Sequence, residues 1–200
     1  MHKNSLKYFI LYKPYGMLSQ FKSEGANRGI ETVKFPFPKD VYPVGRLDSD
    51  SEGLLLLTND TKINYQLLDP VFKHKRTYFA QVEGNVEEEK LEELRKGLVL
   101  NIKGKMHTTA PCSASIIKEP VLPERNPPIR FRNTIPTTWL SITITEGKYH
   151  QVRKMTAKIG YPTLRLVRYS IEKLLVEGLA VEQVLELTQE EAYAKLLLKK

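Results

Sequence analysis

The run Gly45-Arg46-Leu47-Asp48-Ser49-Asp50-Ser51-Glu52 gathers carboxylates beside a guanidinium at the end of an apolar segment. A carboxylate so placed can attack an electrophilic carbon, take up a proton or balance a developing positive charge. Asp48 is the leading candidate: it follows an expected strand, 41–44, and opens a polar turn, where rigid scaffolds present functional groups. The same local chemistry fits a turn aspartate that hydrogen-bonds its own backbone. Arg46 shares a face with Asp48 on an extended backbone, and by itself it reads equally as a surface arginine. Other chemistries find less support. His2, His74, His107 and His150 are scattered, and no CxxC, HxxxH or carboxylate cluster accompanies them at metal-ligand spacing, so no metal is expected. Cys112 stands alone, cannot close an internal disulfide, and fits a packing role in a reducing compartment.

The elements that must position these residues can be read along the chain. Two hundred residues suffice for one substantial core, or for two small subdomains that share a sheet. Residues 8–12 form an apolar run closed by Lys13-Pro14-Tyr15-Gly16, a strand leaving into a turn. The stretch 53–58 is too short and too uniformly apolar for a surface helix, which predicts a buried strand. A short helix, 61–68, follows. Alternation predicts strands over 76–84 and 139–145, and a further strand is expected over 163–171. Helices are expected over 86–96, capped by Asn85 with Glu88, over 150–159, and over 189–198, capped by Thr188 with Glu191. The proline-rich stretch 119–136 excludes central strands and reads as a long ordered loop. The class is α+β. Lys and Arg total 31 against 23 for Asp and Glu, a net charge of +8 that suits a polyanionic partner or serves solubility alone. No segment approaches the ~20 apolar residues of a membrane span, and the N-terminus lacks a secretory signal, so a soluble cytoplasmic protein is expected.

The stretch GRLDSDSEGLLLLTND, 45–60, resembles the catalytic signature of the RsuA-type bacterial ribosomal RNA pseudouridine synthases: GRLD, two variable residues, Thr or Ser, one more, then GLLLLTND. Three further blocks agree in order: KPYGMLSQF at 13–21, KRTYFAQVEG at 75–84, and EGKYHQVRKMTAKIGYPTLRLVRYSI at 146–171. Thr61 stands where the family usually has glycine, so Asn59 or Asp60 should cap the helix that follows; Ser51 stands where Thr is commoner. Only a dozen residues precede Lys13, so the S4-like RNA-binding module common in the family is expected to be absent. The loop 125–140 resembles a subgroup that acts on the large ribosomal subunit and also lacks that module, which points to 23S rRNA as partner.

The resemblance implies a mixed, mainly antiparallel sheet with flanking helices, in two α/β subdomains, about 1–72 and 73–180, followed by the C-terminal helix, with an RNA cleft between the halves. It implies isomerisation of a flipped-out uridine without an external cofactor; oligomeric state stays open, with a monomer as the default expectation. Asp48 is then the catalytic carboxylate, and Arg153 the guanidinium that keeps it ionised in a dry pocket. Tyr78 stacks on the uracil and helps remove the C5 proton, Leu166 packs beside the base, and Arg46 fills the space the uridine leaves. Without the resemblance, Tyr78 and Leu166 would be read as core. Lys13, Lys75, Arg76, Lys148, His150, Lys154, Arg165 and Arg168 flank the motifs and are expected to contact phosphates. Arg125, Arg130 and Arg132 on the proline-rich loop could replace some of the missing module's grip, with Phe131 for base stacking. Three alternatives stay open: the same chemistry on 16S rRNA or tRNA, a non-catalytic RNA-binding factor of similar fold, and a glycosidase-like hydrolase pairing Asp48 with Asp50 or Glu52.

Overall fold

The computed structural model describes residues 5–130, 132 and 134–198. Its scaffold follows from two apolar runs. Strands β1 (Tyr8–Lys13) and β3 (Glu52–Thr58) are buried at every position, so each must be covered on both faces. Alternation then divides their side chains. Tyr8, Ile10, Tyr12, Leu54 and Leu56 enter one core with Ile63 and Leu67 of helix α1 (Thr61–Leu68) and with Ala192 and Tyr193 of the last helix, α4 (Gln189–Lys195). Phe9, Leu11, Leu55 and Leu57 face the other way, onto Met17, Ile30, Val33 and the partly buried Phe35 and Phe37. Asp60 caps α1 by accepting from the Lys62 amide, and its Oδ2 accepts from the hydroxyls of Tyr8 and Tyr193, each at 2.8 Å, tying both helices to β1.

The remaining strands are β2 (Tyr42–Pro43), β4 (Arg76–Glu83), β5 (Val99–Ile102), β6 (Lys105–Thr108), β7 (Ser113–Ile117), β8 (Thr137–Ile144), β9 (Thr163–Ile171), β10 (Leu174–Leu175) and β11 (Val184–Leu187). The main sheet runs β11-β1-β3-β9-β4-β8-β7, with β2 on β3 and β10 on β9, while β5 and β6 form a separate hairpin. Every pairing of the main sheet is antiparallel except β3 with β9, which meet in parallel over Glu52↔Val167 and Gly53↔Arg168. This short seam joins the two halves. Gly53 is required there: its φ is +102°, and an added Cβ would lie 2.4 Å from the Arg168 carbonyl oxygen. Beyond the seam, helices α2 (Glu88–Lys96) and α3 (Gln151–Lys158) cover one face of β4 and β8, building a core from Ala80, Val82, Leu91, Leu94, Leu140, Ile142, Val152 and Met155.

The architecture is the expected α+β sheet with flanking helices. Several boundaries differ for local reasons. Helix α2 begins at Glu88 with Glu87 as an N-cap that makes no side-chain bond, not with Asn85. Gly84 at φ +98° turns the chain out of β4, and the Thr138 hydroxyl takes the Val86 amide, so the helix starts later. The second strand shrinks to Tyr42–Pro43 because a proline lacks the ladder donor. The capping box of Thr188 and Glu191 is present, but α4 stops at Lys195, with Leu197 at φ 56°. No helix among the described residues is long and apolar enough to cross a membrane.

Candidate active site

The loop between β2 and β3 carries Asp48, and it is braced from two sides. On one side the segment after β1 grips it: the Ser19 hydroxyl accepts from the Leu47 amide at 2.9 Å and donates to the Leu47 carbonyl at 2.8 Å, and the Gly16 amide donates to Ser49 O at 2.7 Å. Within the loop, the Ser51 amide donates to Asp48 O at 3.0 Å. On the other side α3 reaches across. Arg153 Nη2 donates to Asp50 O at 2.5 Å, its Nε forms an ion pair with Asp50 Oδ2 at 3.0 Å, and Nη1 donates to Thr163 O on β9 at 3.3 Å.

Arg153 therefore does not pair with Asp48, as the resemblance implied. It is spent on the neighbouring carboxylate, where its three contacts lock the loop to α3 and β9. The ion pair Asp48 makes is with His150, whose Nε2 lies 3.4 Å from Asp48 Oδ1; the two side chains are 29% and 34% exposed. Asp48, Asp50 and His150 thus converge, with one oxygen or nitrogen of each within 4.8 Å of the others. Arg153 supplies a balancing cation to this cluster.

Asp48 lines a cavity of about 460 Å³ together with Tyr78, Leu166, Arg46, Lys148 and His150. That volume lies within the range of small-ligand sites. Tyr78 on β4 and Leu166 on β9 are 9% and 5% exposed and face the cavity from the core of the second half. A smaller recess of about 190 Å³ continues past Arg46, Tyr78 and Lys148 to His74, Arg76 and Arg168. Of the residues singled out in the sequence, Asp48, Tyr78, Leu166, Arg46, Lys148 and His150 meet here and Arg153 does not line the cavity, whereas Lys103, Tyr149 and Gln151 on the same wall were missed. Tyr149 and Gln151 could have been found, since they flank His150 in the matched block. Lys103 sits in the β5–β6 turn and carries no sequence signal.

Three residues expected to contact phosphates are instead interior. Arg165 is 8% exposed and binds Glu52 through two bonds, Nε to Oε2 at 2.9 Å and Nη2 to Oε1 at 2.8 Å, with Nη2 also on Pro123 O at 2.7 Å. Arg168 is 3% exposed, its Nε donates to Leu54 O at 2.8 Å, and burial pushes its guanidinium below the usual range. Lys13 is fully buried, and its Nζ donates to Pro14 O at 3.0 Å and Met17 O at 2.7 Å. Arg165 and Arg168 lie on β9 at the seam, and Lys13 at the end of β1 stands opposite Gly53 of the seam, so closely packed strands enclose all three charges. Glu52 is equally enclosed, so the hydrolase pairing of Asp48 with Glu52 has no geometric support. Lys154 is turned to Asn101 O, at 3.0 Å, on the β5–β6 hairpin, and Arg76 holds Leu67 O at 2.6 Å. Lys75 is exposed. On the proline-rich loop, Arg125 is structural, stacked 4.1 Å over the Tyr15 ring and bonded to Pro127 O and Leu164 O. Arg130 and Arg132 stay exposed, whereas Phe131 lies outside the described residues.

Lys13 yields a test of this placement. Burial first of all lowers its amine from the ordinary 10.5 to about 7, and the two N–H donors of a neutral amine match its two carbonyl partners. Between about pH 7 and 10.5 the unfolded chain holds this proton more tightly than the folded one, so burying Lys13 costs stability in full below pH 7 and progressively less above it. The unfolding free energy of the wild type should therefore rise relative to Lys13→Met from pH 7 to pH 10. Parallel pH curves from urea denaturation would place Lys13 in solvent.

A sequence model for the family described as RNA pseudouridylate synthase matches residues 7–158, spanning the Asp48 loop, Tyr78 and Arg153. The chain belongs to the RNA pseudouridine synthase family. A relative from Vibrio parahaemolyticus named ribosomal large subunit pseudouridine synthase E is 52% identical over 165 residues, 82% of this chain and 67% of its own length. A protein of the same name from Xanthomonas axonopodis pv. citri is 45% identical, over 86% of this chain and 88% of its own. A crystal structure described as a pseudouridylate synthase superposes with a TM-score of 0.77 at 29% identity, covering 96% of this chain and 74% of that one. The β3–β9 seam and the cavity beside it are thus features of a pseudouridine synthase, an isomerase fold that acts on RNA.

Proposed function

We propose that the protein converts a uridine of large-subunit ribosomal RNA to pseudouridine, with Asp48 as its catalytic carboxylate, acting as a single chain in the cytoplasm. The observation that carries this reading is the convergence of Asp48, Tyr78 and Leu166, from three separate elements, on one cavity. The reaction breaks the bond from C1′ to N1, turns the uracil, forms a bond from C1′ to C5 and releases the C5 proton. Asp48 can serve it by attacking C1′ or by removing a sugar proton, and in either case stabilises positive charge on the ribose. Tyr78 and Leu166 hold the turning base, and the Tyr78 hydroxyl is placed to assist loss of the C5 proton. Arg46, exposed at the rim shared by both recesses, can enter the gap left by the extruded uridine, offsetting a stacking cost of a few kcal/mol. The names of the close relatives direct the substrate to the large subunit. The test is to map pseudouridine in unmodified 23S rRNA fragments, 16S rRNA and tRNA after incubation with the protein. Product confined to 16S rRNA or tRNA would overturn the substrate assignment.

Recognition of the surrounding RNA falls to the exposed cations, Arg46, Lys75, Lys148, Arg130 and Arg132. The last two line a recess of about 450 Å³ with Ile135 and Leu164, away from Asp48. Replacing both by Gln should weaken RNA binding while leaving the rate of bound RNA intact. The log–log salt dependence of binding should flatten by about 0.7 for each phosphate that is no longer neutralised. An unchanged affinity and slope in a filter-binding titration would make them ordinary loop charges.

A further inference from the structure

His150 is the N-cap of α3, in a left-handed backbone at φ 52° and ψ 31°, and its side chain makes no capping bond. What the imidazole does instead is reach Asp48, Nε2 to Oδ1 at 3.4 Å. Its ring is held from behind: it packs on the Tyr149 ring, centroids 4.1 Å apart, and Lys103 Nζ stands 4.9 Å from the centroid of that same ring. Lys103, Tyr149, His150 and Asp48 all line the one cavity.

We propose that His150 is a positioning residue for Asp48 and not a phosphate contact. Its Nε2, 3.4 Å from Oδ1, holds that oxygen to one side and leaves Oδ2 to meet the ribose. This place beside Asp48 is the one the resemblance gave to Arg153, which the structure commits to Asp50. The inference rests on the reading of Asp48 as the catalytic carboxylate. The charged groups around the imidazole are Asp48 and Asp50 on the loop before β3, Arg46 on the same loop, Lys148 beside it in the chain, Arg153 on α3 and Lys103 on the hairpin.

The experiment is single-turnover pseudouridine formation on an unmodified 23S rRNA fragment, with RNA affinity and melting temperature measured for each variant. His150→Asn suits the left-handed backbone and removes the imidazole; its rate should fall about 10- to 100-fold with RNA affinity nearly unchanged, as a misplaced catalytic group predicts. His150→Arg keeps an N–H donor beside Asp48 and should recover part of the rate. A wild-type rate with weaker, less salt-dependent RNA binding in His150→Asn would make His150 an RNA contact and overturn the proposal. So would a His150→Arg variant that is no faster than His150→Asn. Asp48→Asn run in parallel separates the two levels: if it is inactive while His150→Asn is fully active, only this proposal fails, and if it is active, the reading beneath fails too.

Discussion

Asp48→Asn should abolish pseudouridine formation while the protein stays folded and bound to RNA. The expected loss is about four orders of magnitude or more in single-turnover rate, the upper end for a positioned acid–base group, and about 5.5 kcal/mol of transition-state stabilisation. The amide keeps the shape of the carboxylate and loses both its charge and its nucleophilicity. Stability should barely move: the Asp48 side chain is 34% exposed, and its pair with His150 at 3.4 Å is solvent-accessible, so it is worth about 1 kcal/mol or less. The loop itself rests on Ser19, Gly16 and Arg153, none of which bonds the Asp48 side chain. Catalysis and folding can thus be read separately, by product mapping and by thermal melting. A variant that keeps more than a few per cent of the wild-type rate would remove Asp48 from the chemistry. Free uracil released by the wild type would show hydrolysis instead of isomerisation.

What could be read from the sequence depended on how local each signal was. The run Gly53–Leu57 declared a buried strand by itself, since only a sheet covered on both faces accommodates so many leucines in succession. Thr188 with Glu191 declared a helix start, because a capping box is complete within four residues. The hairpin of β5 and β6 left no such mark: Val99 and Met106 are exposed, and its residues alternate too weakly to mark a half-buried strand. Strand β10 is a two-residue return onto β9, too short to leave a periodicity, and β11 is a short addition whose pairing is decided by β1, far away in the chain. At the site, the motif blocks located Asp48, Tyr78 and Leu166 but not the pairing of charges. Whether Arg153 meets Asp48 or Asp50 is a matter of one loop's path, and whether Lys13, Arg165 and Arg168 face solvent depends on a seam between strands more than 100 residues apart. Sequence shows that a residue is cationic; only the fold shows where its charge is spent.

Removing one partner of the Glu52–Arg165 pair should be among the most destabilising single changes in the protein. The side chains are 3% and 9% exposed, joined by two parallel bonds of 2.9 and 2.8 Å, and separated by 113 residues in the chain. They lie at the parallel seam, Glu52 opposite Val167 and Arg165 two residues before it, so the pair clamps the two halves of the sheet where the backbone ladder has only two register pairs. Burial and, after it, the Glu52 charge raise the neighbouring Tyr12 hydroxyl to about 12. In such a setting the pair's own net contribution is small, because desolvation offsets attraction, but an orphaned charge costs about 3–5 kcal/mol. Glu52→Ala or Arg165→Met should accordingly lower the melting temperature by roughly 6–20 °C, at about 2–4 °C per kcal/mol for a chain of this size. The double replacement Glu52→Leu with Arg165→Met should recover much of that loss, since it leaves no charge unpaired. A single variant melting within about 2 °C of wild type would mean that water reaches the pair. The consequence extends to catalysis. Asp48 comes from the loop entering β3 and Leu166 adjoins Arg165 on β9, so loosening the seam moves the carboxylate relative to the base, and a displacement near 1 Å can cost about 100-fold in rate. The double variant should therefore regain its melting temperature more completely than its rate: apolar side chains restore the packing of the seam without the two directional bonds that set its register.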